Sequence, residues 1–218
     1  MGVLKTITDE YFGDSIRKED KIDISGLDVE IVSFKDNNGK LHKNGYRVKE
    51  GDPDEMAKTL SILIERIITK RGLECSLNDI DVSNIKKMCY EDEYRFIMGV
   101  FEDSHFNGDI SGWDVSNVED MRYMFASNES FNQDISGWDV SNVEDMGWMF
   151  DGAISFNQDI SGWDVSNVED MSGMFYNAES FNQDISRWNV SSVEIMSGMF
   201  DYTPLKNNNK LPKWYLDK

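Results

Sequence analysis

Residues 106–121 read FNGDISGWDVSNVEDM, and close copies of this stretch begin at Phe131, Phe156 and Phe181. The starting points of the copies are equally spaced along the chain. Self-similarity at one fixed period is typical of repeat proteins, in which each unit buries its apolar face against its neighbours. The repetition therefore predicts a stack of about four 25-residue units over residues 106–205.

Within one unit, two hydrophobic periods follow one another. Ile135, Trp138 and Val140 are separated by polar residues, as in a short half-buried strand. Ser141 and Glu144 have the spacing of a capping box, which marks the start of a helix. Four apolar residues then fall on one face of a short helix: Val143, Met146, Met149 and Phe150. Each unit is predicted to be a strand, a tight corner, one or two helical turns and a return loop.

Stacked units would align their aromatic residues into buried rows. One row is formed by Trp113, Trp138, Trp163 and Trp188, and the other by Phe106, Phe131, Phe156 and Phe181. Each buried ring stabilises the fold by roughly 1.5–3 kcal/mol, so these rows are expected to hold the stack together. A stack also needs distinct ends. We expect an atypical capping coil at residues 77–105 and a C-terminal cap at residues 206–218, with Trp214 and Leu216 in contact with the last unit.

Residues 1–76 lack the repeat and are predicted to form a small α+β module. A hairpin is expected from strands at residues 29–34 and 46–48, with the turn Asn37-Asn38-Gly39 between them. An amphipathic helix is expected over residues 53–71, because this segment starts with a proline and ends before a glycine. The predicted fold class is therefore α+β, with a solenoid of strand–helix coils behind this module.

The chain is strongly acidic, and the acid is concentrated in the repeats. The 218 residues carry a formal net charge of −19, and residues 106–205 alone hold 18 Asp and Glu against 2 Arg. Such a surface excludes nucleic acid and anionic membrane as partners, because both are bound through Lys and Arg. No segment has the pattern of a signal peptide or a membrane span, so we expect a cytoplasmic or virion-associated protein unless another route exports it.

The unit FNQDISGWDVSNVEDM, followed by Met and Phe, resembles the BspA-like leucine-rich repeats that also occur in mycoplasma surface lipoproteins. The resemblance covers roughly residues 77–205. It implies a solenoid of the leucine-rich-repeat type, whose usual role is protein binding or adhesion at a cell surface without catalysis. Related repeats also occur in viruses and phages, so the alternative function is a structural or assembly component of a virion particle.

Catalytic chemistry is not indicated. His42 and His105 have no nucleophile or ligand partner at a recognised spacing, so both are expected on the surface. The sequence contains no glycine-rich phosphate loop, no G-x-S-x-G and no H-E-x-x-H motif. We therefore predict a protein that is not an enzyme, needs no cofactor and has another protein as its partner. The oligomeric state is left open.

The positions that differ between copies indicate a contact patch. Tyr123 and Trp148 occupy the same place in the first two units, where the last two units have glycine. Aromatic residues dominate the energetics of protein interfaces, so we predict that a partner contacts this pair together with Ile154 and Tyr176. The alternative is that the N-terminal module packs over these side chains.

A second candidate site is a row of aspartates that recurs once per unit: Asp109, Asp134, Asp159 and Asp184. A parallel row contains Asp114, Asp139 and Asp164, but the last unit has Asn189 there. Stacked carboxylates about 5 Å apart repel one another unless a cation bridges them, and Ca²⁺ prefers hard oxygen ligands. A calcium-dependent binding module is therefore the second alternative function. The competing interpretation is that each carboxylate caps backbone amides at a corner, since no calcium-loop motif is present.

Overall fold

The structure, a computed structural model, describes residues 22–92 and 94–217. Its strands and helices are, in chain order, β1 (Val29–Lys35), β2 (Leu41–Val48), α1 (Pro53–Arg71), β3 (Ile80–Asp81), β4 (Cys89–Glu91), β5 (Ile97–Gly99), α2 (Pro204–Asn207) and α3 (Lys213–Leu216). Strand β2 pairs antiparallel with β1 and parallel with β3, and β4 pairs antiparallel with β5. One apolar core extends from the first sheet through the repeats to α3.

The N-terminal elements follow from local turn and capping signals. Gly39 is the left-handed residue of the β1–β2 turn, with φ 78°, and its amide donates to the Asp36 carbonyl at 2.8 Å. Asp52 caps α1, because its carboxylate accepts the amides of Asp54 and Glu55 at 3.1 and 3.2 Å. The helix has the bounds that the sequence predicts, whereas β2 begins five residues earlier than predicted.

Backbone hydrogen bonds join successive repeat units. In the second unit, every other amide from residue 146 to residue 152 donates to a carbonyl of the third unit, at 2.8–2.9 Å. Equivalent bonds join the first unit to the second and the third to the fourth. One residue per unit also forms a parallel β-bridge with its neighbours: Lys87, Asp120, Asp145, Asp170 and Ile195. Each unit therefore lies beside the next one in register.

The strand and the helix predicted within each unit do not form. Two of the amides that lie between those of the ladder donate three residues back, from Met149 to Met146 at 3.3 Å and from Asp151 to Trp148 at 3.1 Å, which gives tight turns. Left-handed residues at Trp148 and Gly152, with φ 59° and 65°, stop these turns from continuing as a helix. Within the described range 106–203 the backbone has only turns, single bridges and irregular segments. Alternate amides of this segment thus donate to the neighbouring unit, where a helix would have them donate within their own unit.

The predicted capping boxes are also replaced. The Ser141 amide donates to the Asp139 carboxylate at 3.1 Å, and the Glu144 amide donates to the Glu119 carbonyl of the preceding unit at 2.8 Å. The apolar positions of the predicted helix face are nevertheless fully buried: Val143, Met146, Met149 and Phe150. The hydrophobic pattern thus identified the inward side chains although it gave the wrong backbone.

Buried aromatic rows run through the stack. Rings at one position of each unit follow one another at centroid distances of 5.4–5.9 Å: Phe101, Phe125, Phe150, Phe175 and Phe200. The predicted phenylalanine row is spaced at 6.0 Å from Phe131 to Phe156 and from Phe156 to Phe181. Each indole N–H of the predicted tryptophan row donates to a carbonyl of the preceding unit at 2.9–3.2 Å. The only polar group of each buried indole is therefore satisfied.

The C-terminal end of the stack copies an internal contact. Trp214 in α3 stacks on Trp188 with a centroid distance of 6.5 Å, and its indole N–H donates to the Ile185 carbonyl at 3.1 Å. Trp188 makes the same bond with Ile160 inside the stack. Trp214 thus extends the tryptophan row by one place. Leu216, which was predicted to contact the last unit as well, is instead 67% exposed.

The N-terminal end is closed in a similar way. Asn84 donates its side-chain amide to the Val48 carbonyl of β2 at 2.8 Å, as Asn117 does to the Ser83 carbonyl one unit later. Strand β2 therefore occupies the place of a further unit. The sheet formed by β1, β2 and β3 crosses the predicted boundary between the N-terminal module and the capping coil, and the division into these domains stays a prediction.

Candidate protein-binding face

Four aromatic side chains form a continuous ribbon across one face of the repeats. The ring centroids of Tyr123 and Trp148 are 6.5 Å apart, and those of Trp148 and Tyr176 are 5.7 Å apart. Tyr202 follows at 5.2 Å from Tyr176. Tyr202 is 61% exposed and the other three are half-buried. We call these four residues the aromatic ribbon, and it contains three of the four residues predicted to bind a partner.

Two residues distinguish the ribbon from the predicted contact patch: Ile154 was predicted but is not one of the four rings, and Tyr202 is one of the rings but was not predicted. Ile154 is half-buried in a turn, where its carbonyl accepts the Ser180 amide at 3.1 Å, and its role in binding stays a prediction. Tyr202 is not at the place of Tyr123, which Gly198 occupies in the last unit. Tyr202 stands instead at the place that Asn177 has in the preceding unit.

Three members of the ribbon have a left-handed backbone. Tyr123, Trp148 and Tyr202 have φ values of 58°, 59° and 64°. At the place of Tyr123 the last two units have Gly173 and Gly198, with φ values of 59° and 67°. A side chain in this region costs about 1–2 kcal/mol, which glycine avoids. The first two units therefore hold bulky rings at a place where glycine would suit the backbone better.

Trp148 packs against the backbone of the next unit. A Cβ atom at Gly173 would lie only 2.4 Å from the indole Cε3 of Trp148, so the missing side chain makes room for the ring. The other five tryptophans of the chain donate their indole N–H groups to carbonyls within the stack. Trp148 therefore does not belong to the buried tryptophan row. Its ring is half-buried on the solvent side of the hydrogen-bonded ladder.

The hairpin of β4 and β5 borders the ribbon. A Cβ atom at Gly99, the last residue of β5, would lie 2.0 Å from the Tyr123 carbonyl oxygen, so the two backbones approach at a distance that only glycine permits. This hairpin belongs to the predicted capping coil. The described contact at Tyr123 therefore does not come from the N-terminal module that was the alternative cover for these rings.

Two half-buried carboxyl groups flank the ribbon. Burial raises the pKa of Asp151 and also that of Glu102. Glu102 accepts the Gly99 amide at 2.7 Å. Among the described residues, no cation or N–H group pairs with the Asp151 carboxylate. Burial raises the pKa of Tyr123, and the negative charges of Glu102 and Asp151 contribute to the shift.

A third row of acidic residues, which the sequence comparison missed, lies along the β-bridges. Asp120, Asp145 and Asp170 line a cleft of about 310 Å³ together with the neighbouring glutamates and Lys87. Arg122 bonds to Asp120 at 2.7 Å and reaches Asp145 at 3.3 Å. An aspartate stands at this place in the first three units and Ile195 in the fourth, so the row was visible in the sequence, but nothing there showed that its members bridge successive units.

The pKa values of Asp120 and Asp145 differ because both carboxylates share one arginine, Arg122, which lies closer to Asp120. Burial and the nearby carboxylates of Asp120 and Asp170 raise the pKa of Asp145 to about 6. Burial acts in the same direction on Asp120, but its hydrogen bonds from Arg122 outweigh burial and hold the pKa of Asp120 below its ordinary value. Asp145 therefore carries a less stabilised charge than Asp120.

The aspartates that were candidates for calcium cap turns. Each carboxylate in the row accepts the amide of the serine two residues later at 2.9–3.0 Å: Asp109, Asp134, Asp159 and Asp184. Asn189 makes the same bond in the parallel row, where a charge is thus not required. In the part of the chain that the structure describes, no group of three or more His, Cys, Asp or Glu is arranged to hold a metal ion. This geometry favours the turn-capping interpretation.

The histidines are placed differently from one another. His105 is exposed, as predicted. The prediction for His42 is wrong, because its side chain is only 10% exposed. Its Nε2 lies 2.8 Å from Asp36 Oδ2, and its ring stacks on Phe34 at a centroid distance of 5.1 Å. The sequence gave no sign of this pair, because the two partners come from opposite sides of one hairpin and meet only when it folds.

Comparison with known proteins yields one match. The protein family described as "Mycoplasma protein of unknown function, DUF285" matches residues 95–214, more than half of the chain. No curated protein matches the sequence, and no solved structure does. Among the described residues, no helix combines the length and the apolar character needed to cross a bilayer. The matched range contains all four repeat units and the whole aromatic ribbon.

Proposed function

The chain belongs to the family described as Mycoplasma protein of unknown function, DUF285, and we propose that it is a non-catalytic protein-binding scaffold of the adhesion type. In this proposal the repeats form a BspA-like solenoid of the leucine-rich-repeat type. The aromatic ribbon is the contact site for the partner protein. The family description assigns no activity, so the support comes from the residues of the chain.

The observation that carries the proposal is the position of Tyr123 and Trp148. Both rings are half-buried on the outer side of the ladder, and both occupy left-handed positions that the last two units fill with glycine. Backbone strain of this kind persists where the side chain has a use outside the fold. Tyr and Trp are also the residues that most often dominate the binding energy of protein interfaces.

The register of the units suits such a role. The rings are fixed by the hydrogen-bonded ladder beneath them and by packing of Trp148 on Gly173. Rings that are already ordered lose little conformational entropy when a partner binds. The ribbon therefore presents a preformed aromatic surface rather than one that must assemble during binding.

The test is a comparison of two double variants as bait in lysate from the native source. Tyr123→Gly with Trp148→Gly removes two rings and supplies the residue that the other units use at that place. The control, Tyr94→Ala with Phe96→Ala, removes two rings outside the ribbon, which are 72% and 67% exposed at the tip of the β4–β5 hairpin. Quantitative mass spectrometry measures each protein that the unaltered chain retains.

We expect the ribbon variant to lose at least about tenfold of one retained protein, because two interface aromatics each contribute more than about 1 kcal/mol. The control should retain that protein. Equal retention by the ribbon variant and the unaltered chain would refute the assigned contact site. Recovery of the chain in fixed stoichiometry with virion components, unaffected by either variant, would favour the assembly role instead.

A further inference from the structure

We infer that the aromatic ribbon receives a lysine or arginine side chain from a basic segment of the partner protein, with Asp151 as the counter-charge. This inference rests on the proposed function, because it takes the ribbon as the contact site. It adds the chemistry of the partner, which neither the repeat pattern nor the family match specifies.

Asp151 belongs to the ribbon by position. Its amide donates to the Trp148 carbonyl at 3.1 Å, so the two residues share one tight turn. In the next unit the same place is occupied by Tyr176. The charge of Asp151 acts electrostatically on both Tyr123 and Tyr176. The carboxylate is thus within electrostatic range of both tyrosines.

Asp151 differs from other acidic groups near the ribbon because no cation among the described residues pairs with its carboxylate. Asp120 pairs with Arg122 and Asp201 pairs with Lys206. Within residues 22–92 and 94–217, the Asp151 carboxylate has neither a cation nor an N–H donor. A half-buried charge without a partner is unfavourable, and an external cation would relieve that cost.

The surrounding rings favour the same ligand. The faces of Tyr and Trp attract ammonium and guanidinium groups, with a contribution of about 0.5–2 kcal/mol for each contact. The repeats as a whole have 18 acidic residues against 2 arginines, so a basic segment is drawn to them from a distance and an acidic one is repelled. Rings, unpaired carboxylate and overall charge therefore specify a cationic side chain.

The experiment uses a tetra-arginine peptide amide as the probe and the indole N–H signal of Trp148 in nitrogen-15 NMR as the readout. The signal is assigned as the one that disappears in Trp148→Gly. We expect the peptide to shift this signal, and Asp151→Asn to weaken the apparent affinity at least about fivefold. The matched control is Asp159→Asn, which removes one charge from an exposed aspartate of the next unit and should change the affinity less than about twofold.

Equal weakening by Asp151→Asn and Asp159→Asn would overturn the inference, because it would show diffuse attraction to an acidic surface. Absence of any shift at the Trp148 signal would overturn it as well. Asp151→Asn removes a half-buried charge, so it should not lower the melting temperature. A melting temperature equal to that of the unaltered chain shows that lost binding is not due to unfolding.

The bait experiment separates this inference from the proposed function. If Asp151→Asn retains the partner that Tyr123→Gly with Trp148→Gly loses, the ribbon contacts the partner without a cation, and only this inference fails. If all three substitutions leave the partner bound, the proposed contact site fails as well. Loss of the partner in both variants, with Asp159→Asn unaffected, supports both.

Discussion

Replacement of Asp145 by asparagine is expected to stabilise the protein at neutral pH. Asp145 lies in the bridge row between two other carboxylates, its side chain is 28% exposed, and its pKa is raised from 3.8 to about 6. The asparagine would keep an oxygen for the Gly147 amide, which now donates to Asp145 at 2.9 Å. It would remove the charge that burial and the neighbouring carboxylates oppose.

The size and the sign of the effect follow from proton linkage. The unfolded chain releases the Asp145 proton near pH 3.8 and the folded chain retains it until about pH 6. Between these values the folded state binds more protons, so this group's stabilising effect is complete below pH 3.8 and is lost as the pH rises through 6. The difference between these two pKa values corresponds to about 3 kcal/mol at most. Solvent screening and the loss of the Arg122 contact reduce the expected gain to about 1–2 kcal/mol.

The assay is calorimetry of both proteins from pH 3.5 to 7.5. We expect the melting temperature of Asp145→Asn to exceed that of the unaltered chain by about 3–6 °C at pH 7.5 and to equal it near pH 3.5. The control is Asp164→Asn, since hydrogen bonds from Ser166 lower the pKa of Asp164 and Asn189 fills its place in the last unit. That variant should gain nothing at neutral pH. A difference that does not vary with pH, or a less stable Asp145→Asn at pH 7.5, would refute the reasoning.

Three further outcomes are expected. Gly173→Ala should lower the free energy of unfolding by about 1–3 kcal/mol and displace Trp148, whereas Gly162→Ala, whose added Cβ would have no atom within 4 Å, should change it by less than about 1 kcal/mol in urea titrations. Trp214→Ala should cost about 2–3 kcal/mol because it removes the end of the tryptophan row, and Leu216→Ala, at an exposed position, should cost less than about 0.5 kcal/mol. Millimolar Ca²⁺ should shift the melting temperature by less than about 1 °C, because the aspartate row caps turns; a rise of several degrees would restore the calcium hypothesis.

The sequence predicted those features that depend on the local effect of single residues, such as helix caps and buried apolar side chains. The bounds of α1 followed from the capping of Asp52 and the proline behind it, and the buried side chains of each unit followed from the apolar pattern. It failed on the backbone of the units, because the amides around Trp148 bond to the next unit rather than within their own. Periodicity within one unit carries no information on that competition.

The candidate site was predictable only in part, for a similar reason. Differences between copies pointed to Tyr123 and Trp148, since a repeat that has glycine in two units and a large ring in two others is visible by comparison. Asp151 and Tyr202 were not identified, because they join the ribbon through neighbours in space. The contact of Tyr202 with Tyr176 and the missing charge partner of Asp151 both depend on how the units are stacked. The sequence of a single unit carries no information on that stacking.

The way in which Trp214 closes the stack has a consequence for how the chain can change in length. The indole N–H of Trp214 donates to the Ile185 carbonyl, just as each internal tryptophan donates to a carbonyl of the preceding unit. Helix α3 can therefore cap any unit of the same kind. Removal of residues 131–155 would join Ser130 to Phe156, a junction that matches the natural one at Phe131. A chain of this type can therefore gain or lose whole repeats while both ends of the stack keep their contacts. Selection can lengthen or shorten the surface without redesigning its ends.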